Sequence, residues 1–283
     1  MDYRRKKQII IASILALVLI LLVVGAYFKW FYRAPTCFDA KQNQNEEGVD
    51  CGGPCSISCE LLTVKNLRIE WAKAIFLKEG LYDAVAKVEN INPNYGLDKF
   101  NYTFKLFDEN KQLLVQKQSA SFILPGQKKY IIEANLSSAK KPASTEFIIE
   151  ESLKTDWQRL KNDFESPDIF IHDKQFKYLE NQRGKPSQSG VAQASGIIKN
   201  SSSFDFDKIS VSVVLFDEKK EIIGVNKTEA YTIPAGEERY FSVLWFSPLS
   251  GDVKSADMLA DTNLFSDSNF MRRYGAPEKF QQY

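Results

Sequence analysis

The first 30 residues of the chain contain an apolar run whose length matches a membrane. Residues 9–28, from Ile9 to Phe28, are apolar except for Ser13. In an α-helix a run of this length spans about 30 Å, the thickness of the hydrocarbon core of a bilayer. Since no charged side chain interrupts the run to mark an ion path, the pattern predicts one transmembrane helix that acts as an anchor.

The charges on either side of this run predict its orientation. Four consecutive basic residues precede it: Arg4, Arg5, Lys6 and Lys7. Only Lys29 and Arg33 follow it closely. Because the more basic flank stays on the cytoplasmic side, residues 1–8 are expected to form a cytoplasmic tail and the bulk of the chain to be extracytoplasmic.

A cleaved signal peptide is the alternative, because it too has a basic start and an apolar stretch. The present run is longer than the usual apolar part of a signal peptide, and Phe28 and Trp30 belong to an aromatic cluster at its end. Aromatic residues are typical of the membrane–water interface, whereas a cleavage site needs small residues. We therefore expect a retained, single-pass anchor in the cell membrane.

Beyond residue 60, apolar and polar positions alternate with a period of two, and the pattern occurs twice. Residues 106–114 (LFDENKQLL) align with residues 215–223 (LFDEKKEII), 109 positions later, and Pro125 then aligns with Pro234. The alternating large residues of the first copy are Phe100, Tyr102, Phe104 and Leu106. Those of the second copy are Ile209, Val211, Val213 and Leu215. This alternation predicts β-strands with one buried face.

Each copy continues through a polar turn into further short apolar runs. About seven short strands separated by turn residues are typical of an immunoglobulin-like β-sandwich. The predicted fold class is all-β, with two tandem immunoglobulin-like β-sandwiches after one transmembrane helix and a small disulfide-rich neck. We assign residues 35–60 to the neck, residues 61–150 and 168–265 to the sandwiches, and residues 266–283 to a C-terminal tail.

Apolar residues between the two copies follow a helical spacing. Leu153, Trp157, Leu160 and Phe164 lie at positions i, i+4, i+7 and i+11. Ser152 suits a helix N-cap, and the Ser166-Pro167 pair would end a helix. We expect a helical linker over residues 151–167 that packs against its own domain, with docking to a partner as the alternative.

All four cysteines lie in one short segment, at Cys37, Cys51, Cys55 and Cys59. An even number of clustered cysteines outside a membrane predicts two disulfides, for which three pairings are possible. A tetrahedral zinc site with four thiolate ligands is the alternative. Gly52 and Gly53 are expected to allow a tight turn between the half-cystines.

The segment around these cysteines carries a recognisable motif. It has Asp39, Asn43 and Glu47, followed by the run DCGGPC at residues 50–55, with Ala40 after Asp39. This pattern resembles a short cysteine-rich module of secreted and surface proteins of bacteria, which usually has glycine in place of Ala40. The resemblance implies no catalytic role. Its acidic residues are expected to be solvated loop charges, with calcium binding as the alternative.

A second resemblance involves the sandwiches. Phe104-x-Leu106-Phe107-Asp108, followed by an apolar strand and Leu124-Pro125-Gly126, resembles the FxLYD domain of bacteria and archaea. The segment from Val88 to Asn94 is similar to a turn of late-embryogenesis-abundant type 14 sandwiches. The resemblance implies an extracytoplasmic β-sandwich, and it implies no assigned catalysis because fold does not imply function.

The chain lacks the residue sets of common catalytic sites. His172 is the single histidine, and neither a G-x-S-x-G elbow, a Walker loop nor a G-x-G-x-x-G fingerprint is present. The carboxylate pairs Asp108-Glu109 and Asp217-Glu218 are expected to form turns rather than an acid–base pair. Four N-x-S/T sequences, at Asn101, Asn135, Asn200 and Asn226, are expected to arise by chance. We expect no catalytic residue, metal site or cofactor.

The charge balance disfavours one class of partner. Residues 34–283 hold 31 basic and 35 acidic residues, because six of the 37 basic and one of the 36 acidic residues come earlier. A nucleic-acid-binding protein normally carries a basic face, which this balance does not supply. We expect a noncatalytic interaction or scaffold protein whose partners are the membrane and other envelope proteins or surface polymers. The alternatives are a structural subunit of a secretion or pilus-like machine, and an enzyme with a four-cysteine zinc site.

Overall fold

The computed structural model describes residues 3–30, 36–160, 168–179 and 191–270, most of which lie in β-strands. The chain divides into two compact units, residues 1–63 and 64–283. The first unit contains an apolar helix and a small neck with two disulfides, and the second contains several β-sheets. The predicted all-β fold class, with one apolar helix and a disulfide-containing neck, is therefore confirmed.

Helix α1 (Tyr3–Trp30) is continuous over 28 residues, since its sequence contains no proline and a single glycine, Gly25. At 1.5 Å per residue it is about 42 Å long, so the predicted run of residues 9–28 lies inside a longer helix. The basic residues 4–7 lie in its first turns. Its apolar side chains are exposed, which suits a membrane anchor and a signal sequence equally.

The neck is held by two disulfides. Cys37 is bonded to Cys55, and Cys51 is bonded to Cys59. These bonds close loops of 18 and 8 residues, and in the chain-entropy model a loop of about 15 residues contributes roughly 3 kcal/mol. The prediction of two disulfides is confirmed, and the structure selects one of the three pairings that the sequence left open.

Two glycines make the sharp turn between the half-cystines. Gly52 and Gly53 have φ angles of +71° and +55°, in the left-handed region that glycine adopts without penalty. A Cβ atom on Gly53 would lie 2.3 Å from the carbonyl oxygen of Asn45. The turn therefore needs glycine for both conformation and space, and the expected role of this pair is confirmed. A short helix, α2 (Cys59–Leu62), follows.

The first part of the second unit is a sandwich of antiparallel sheets, called sandwich 1 below. Its strands are β1 (Arg68–Lys78), β2 (Leu81–Glu89), β3 (Tyr95–Phe107), β4 (Leu113–Ile123), β5 (Lys128–Ser137), β6 (Ser144–Ile149) and β7 (Trp157–Arg159). One sheet has the order β1-β2-β5, and the other has the order β4-β3-β6 with β7 also paired to β3. The Tyr102 hydroxyl donates to Glu133 Oε1 at 2.7 Å and so connects the two sheets.

The second part, sandwich 2, has the same strand order. Its strands are β8 (Ile169–Tyr178), β9 (Ala192–Asn200), β10 (Phe206–Phe216), β11 (Ile222–Ile233), β12 (Glu238–Trp245) and β13 (Ser255–Asp261). They form the sheets β8-β9-β12 and β11-β10-β13. The alternating residues predicted to face a core are buried in both sandwiches, as Phe104 and Val213 illustrate with no exposed surface.

The helical linker predicted over residues 151–167 is wrong for the residues that the structure describes. Only one 3₁₀ turn forms, at Lys154–Asp156, and Trp157 begins strand β7, where it pairs with Leu97 of β3. Leu153 is exposed, Trp157 is buried, and Leu160 packs against the core of sandwich 2. Burial of the large Trp157 ring in a nearby sheet outweighs the helical spacing, since such spacing is a weak signal over one or two turns. Phe164 lies outside the described residues.

The boundary predicted for the C-terminal tail is also wrong, because residues 266–270 belong to sandwich 2. A 3₁₀ turn forms at Asp267–Asn269, and Phe270 makes a β-bridge to Phe206. The buried Asn269 side chain accepts a hydrogen bond from Lys208 N–H and donates one to the Asn263 carbonyl. These contacts extend the packed part of the chain by a further turn, and residues 271–283 lie outside the described residues.

A buried asparagine closes the same corner of each sandwich. Asn90 Nδ2 donates to the carbonyls of Tyr95 and Leu124 at 2.7 and 2.8 Å. Asn200 Nδ2 donates to the carbonyls of Phe204 and Ile233 at 2.7 and 3.0 Å. The exposed fractions of the two asparagines are 1% and 0%, so each buried amide satisfies backbone carbonyls from inside the fold.

We predict that Asn200→Ala destabilises the protein by about 2 kcal/mol, because it leaves buried carbonyl oxygens without a donor. The free energy of unfolding of the second unit, measured by denaturant titration, tests this. Asn110→Ala is the matched control, since Asn110 lies exposed in a turn, and it should change the value by less than about 0.5 kcal/mol. Equal effects of the two substitutions would contradict the bracing role.

Candidate functional site

The two sandwiches pack against each other through the outer faces of two sheets, β1-β2-β5 and β11-β10-β13. The buried residues of this contact are Ile75, Val85, Tyr130, Ile132, Val214 and Val225. Partly buried Trp71, Phe216, Ile222 and Leu259 surround them. Both central strands, β2 and β10, are thus covered on two faces, and the second unit is one packed head rather than two sandwiches joined only by a linker.

A phenol–carboxylate pair crosses this interface. The Tyr130 hydroxyl donates to Asp257 Oδ2 at 2.8 Å. Burial raises the pKa of Tyr130, and the negative charge of Asp257 raises it further. Tyr130 therefore remains a neutral donor well above neutral pH, and the pair fixes the register between β5 and β13.

A buried ion pair lies beside it. Lys129 Nζ is 2.6 Å from Asp261 Oδ2, and the exposed fractions of the two side chains are 8% and 11%. Lys129 also donates to the Phe122 carbonyl at 3.1 Å and lies over the Phe122 ring, 3.7 Å from its centroid. Because a buried charge that loses its partner is costly, this pair holds the two sandwiches in one arrangement.

A cleft of about 230 Å³ opens at the same end of the interface. Its lining includes Pro125, Gln127, Lys129, Ser212 and Asp261. The lysine and the aspartate are paired with each other, so the cleft offers polar groups without an unpaired buried charge.

The outer face of sheet β8-β9-β12 is not covered by sandwich 1. Cross-strand pairing places His172, Ile197 and Tyr240 in one row. Tyr240 is 62% exposed, and Phe170 of the neighbouring row is 46% exposed. His172 Nδ1 lies 3.1 Å from Asp173 Oδ2 and Nε2 lies 3.7 Å from Glu238 Oε1, so the single histidine of the chain is part of a surface patch next to two carboxylates. We call the outer face of β8-β9-β12 the free face of sandwich 2.

The carboxylate pairs singled out in the sequence form turns, as expected. Asp108 Oδ1 accepts hydrogen bonds from the N–H groups of Asn110 and Gln112. Asp217 Oδ1 accepts the equivalent bonds from Lys219 and Glu221. The bond from Gln112, assisted by the Lys140 charge, lowers the pKa of Asp108. Both aspartates thus close β-hairpins, and the geometry does not pair them as an acid and a base.

The N-x-S/T sequences differ in accessibility. Asn200 is fully buried, and Asn226 Nδ2 donates to the Leu244 carbonyl at 2.9 Å. Asn101 and Asn135 are exposed. Two of the four motifs are therefore structural asparagines, which agrees with their occurrence by chance.

The acidic residues of the neck are hydrogen-bond acceptors for its own backbone. Asp50 accepts from the N–H groups of Asp39 and Ala40, and Glu46 accepts from those of Asn43 and Asp50. Glu46 is only 6% exposed, so the expectation of solvated loop charges is wrong for this residue. Burial is tolerated because the carboxylate replaces water by backbone donors.

Ligand atoms of Cys37, Glu46 and Cys55 lie within 4.8 Å of one another. Both sulfurs belong to the same disulfide, and a metal needs the thiolate form. In the oxidised neck this trio is therefore not a metal centre. The position of Glu46 could not be read from the sequence, which shows only one acidic residue among several.

Comparison with known proteins leaves the family open. No family model and no curated protein matches the chain. Among solved structures, a red sea bream transglutaminase is 10% identical with a TM-score of 0.21, and the match covers 70% of this chain and 29% of the transglutaminase. A vicilin from Solanum melongena is 10% identical with a TM-score of 0.14, and the match covers 70% and 85% of the two chains. Such low TM-scores carry no argument about function.

We predict that the interface makes the protein sensitive to alkaline pH. A tyrosine whose folded pKa is raised contributes stability that is present below the unfolded value of about 10 and is lost as pH rises toward the folded value. Burial raises the pKa of Tyr102 as well as that of Tyr130. Tyr130→Phe should therefore reduce the loss of unfolding free energy above pH 10 by about 1.4 kcal/mol per pH unit.

Denaturant titrations between pH 9.5 and 11 measure this slope. Tyr240→Phe is the matched control, because Tyr240 is exposed and lies at the equivalent position of sandwich 2. It should keep the slope of the unchanged protein. An identical slope in Tyr130→Phe and Tyr240→Phe would contradict the assigned role of Tyr130.

Proposed function

We propose that the protein is a noncatalytic, membrane-anchored interaction or scaffold protein of the cell envelope, with its head outside the cytoplasm. The observation that carries the proposal is the role of the buried polar groups of the head. Its buried polar groups, such as Asn90, Asn200 and the Lys129–Asp261 pair, are engaged in holding sheets together. What the head offers to other molecules is therefore extended sheet surface.

The N-terminal helix supports the anchoring part of the proposal. Its exposed apolar side chains would be in contact with water unless lipid covered them. The basic residues Arg4, Arg5, Lys6 and Lys7 occupy its first turns, where they would remain on the cytoplasmic side. This orientation sends the neck and the head across the membrane.

The neck supports an extracytoplasmic location. Its two disulfides persist in oxidising compartments and are rare in the cytosol. The described part of the neck contains a single short helix, α2, and little buried apolar surface. Covalent bonds therefore supply the stability that a hydrophobic core supplies in larger domains.

The strand order supports a tandem duplication of FxLYD-like sandwiches. Both sandwiches have the same connectivity, the same buried asparagine and the same aspartate-closed hairpin. Lys111 and Lys220 have left-handed φ angles of +60° and +62° at the equivalent turn position. Agreement in these details is expected of copies of one ancestral unit.

A structural subunit of a secretion or pilus-like machine is the second candidate. The free face of sandwich 2 favours it, because exposed aromatic residues on a sheet are typical of protein contact sites. An enzyme with a four-cysteine zinc site is the weaker alternative, since it would need all four sulfurs reduced.

Accessibility labelling tests the topology. A cysteine introduced by Glu109→Cys, in an exposed turn of the head, should react with a membrane-impermeant maleimide in intact spheroplasts. A cytoplasmic thiol protein serves as the control and should react only after lysis. Replacement of Arg4, Arg5, Lys6 and Lys7 by glutamate should reduce this labelling several-fold, because it removes the orienting charge. Labelling of Glu109→Cys only after lysis would place the head in the cytoplasm and overturn the proposal.

The oxidation state of the neck is a separate prediction. Full-length protein purified without reductant should take up no alkylating reagent on its four cysteines and contain no stoichiometric zinc. Prior reduction should add four alkyl groups, which intact-mass measurement detects. Four reactive thiols together with one zinc per chain in the unreduced sample would favour the enzyme alternative instead.

A further inference from the structure

The internal interface uses one face from each sandwich, and the described residues leave the two equivalent faces uncovered. Sandwich 1 contributes β1-β2-β5, and sandwich 2 contributes β11-β10-β13. Because the strand orders match, the free face of sandwich 2, β8-β9-β12, corresponds to β1-β2-β5. The outer face of β4-β3-β6, here called the free face of sandwich 1, corresponds to β11-β10-β13. The head therefore exposes a second copy of each face of its internal interface. The free face of sandwich 2 is one copy, and the free face of sandwich 1 is the other.

The strand register identifies equivalent residues on the sheets β1-β2-β5 and β8-β9-β12. Tyr130 pairs with Lys87 of β2, and Tyr240 pairs with Ile197 of β9. Lys87 and Ile197 each lie three positions before the buried asparagine of their strand end. Tyr240 is thus the counterpart of Tyr130, and Arg239 is the counterpart of Lys129. Like Lys129, Arg239 donates to a backbone carbonyl of the preceding strand, that of Thr232.

The strand register also identifies equivalent residues on the sheets β11-β10-β13 and β4-β3-β6. Val214 pairs with Asp257, and Lys105 pairs with Glu146, so Glu146 is the counterpart of Asp257. Four residues further along, Glu150 occupies the position of Asp261 and lies next to Asn101, whose carbonyl accepts its N–H. Both glutamates are exposed.

The free face of sandwich 2 therefore carries the tyrosine and the basic residue of the two internal polar pairs. The free face of sandwich 1 carries their acidic partners. Tyr130 donates to Asp257 inside the head, and Tyr240 could donate to Glu146 of another copy. Lys129 pairs with Asp261 inside the head, and Arg239 could pair with Glu150 of another copy. A charge pattern that matches at two neighbouring positions favours a partner with this same arrangement.

Apolar residues at the margin of the contact are retained as well. Phe216, Ile222 and Leu259 border the internal interface, and the register equates them with Phe107, Leu113 and Ile148. Leu113 and Ile148 are 50% and 40% exposed. An exposed margin of this kind has no role in the core of sandwich 1, so it is available to a partner.

The centre of the contact differs between the two settings. Val85 and Ile132 of the internal interface correspond to Ser195 and Ser242, and Val214 and Val225 correspond to Lys105 and Gln116. Polar residues at the centre keep the free faces soluble when they are unoccupied. They also remove apolar burial, so a contact between copies is weaker than the internal one and depends on a high local concentration.

We propose that the protein associates head-to-tail with a second copy of itself, by docking the free face of sandwich 2 onto the free face of the next copy's sandwich 1. The contact repeats the internal interface, with Tyr240 and Arg239 facing Glu146 and Glu150. Because the two faces differ, the contact is heterologous and can add further copies. This inference rests on the proposed scaffold function and names its partner.

Photo-crosslinking of the full-length protein in native membranes tests the contact. A photoreactive phenylalanine analogue at Tyr240 should give an adduct of twice the chain mass, with the crosslinked peptide in β3, β4 or β6. The same probe at Phe38, an aromatic residue of the neck that is 80% exposed, is the control and should give less than about one-fifth of that adduct.

Charge reversal tests the specific pairing. Arg239→Glu should reduce the Tyr240 adduct at least fivefold, and the double variant Arg239→Glu with Glu150→Arg should restore it. Restoration distinguishes a contact between copies from damage to the fold, which the second substitution would not repair. Thermal unfolding of each variant confirms that the head remains folded.

Several results would overturn the proposal. These are an adduct within β8-β9-β12 of the second copy, an adduct with a different protein, no adduct above the Phe38 level, or no rescue by the double variant. The crosslinking result does not depend on which side of the membrane the head occupies. Failure of self-association and failure of the proposed topology are therefore distinguishable from the maleimide labelling.

Discussion

The packing of sheet β1-β2-β5 against sheet β11-β10-β13 is the constraint on which the rest of the head depends. It converts two thin sandwiches into a stack of four sheet layers, so that Val85 of β2 and Val214 of β10, on the outer faces of their sheets, are fully buried. Apolar burial supplies most of the favourable free energy. The Lys129–Asp261 and Tyr130–Asp257 pairs then select one register, because any sliding of the sheets would leave buried polar groups without partners.

The same kind of contact engages many polar side chains in the described part of the chain. Polar side chains that a sequence search would offer as catalytic groups are occupied elsewhere. Asp108 and Asp217 close hairpins, Glu133 accepts from Tyr102 between sheets, and Glu46 binds backbone N–H groups in the neck. In the function that we propose, the surface of the head contacts its partners.

Duplicated geometry links the architecture to the function we propose. Asn90 and Asn200 brace matching corners, so the two sandwiches keep similar edges and face shapes. When two similar units bind each other through different faces, each unit still exposes the face that its partner uses in the contact. Natural β proteins must either neutralise such faces or use them. Here the centres of the free faces are polar, whereas their margins and charged pairs still match.

Local patterns determined much of this protein. The apolar run at residues 9–28, the alternation through Phe104 and Val213 and the two-disulfide neck follow from periodicity and composition, which act over a few residues. The tertiary structure decided the cysteine pairing, the strand formed by Trp157 and the contact between the sandwiches. Each of these depends on residues far apart in the chain. These contacts stabilise the protein only when residues that are distant in the sequence come together, so a short segment of the sequence cannot predict them.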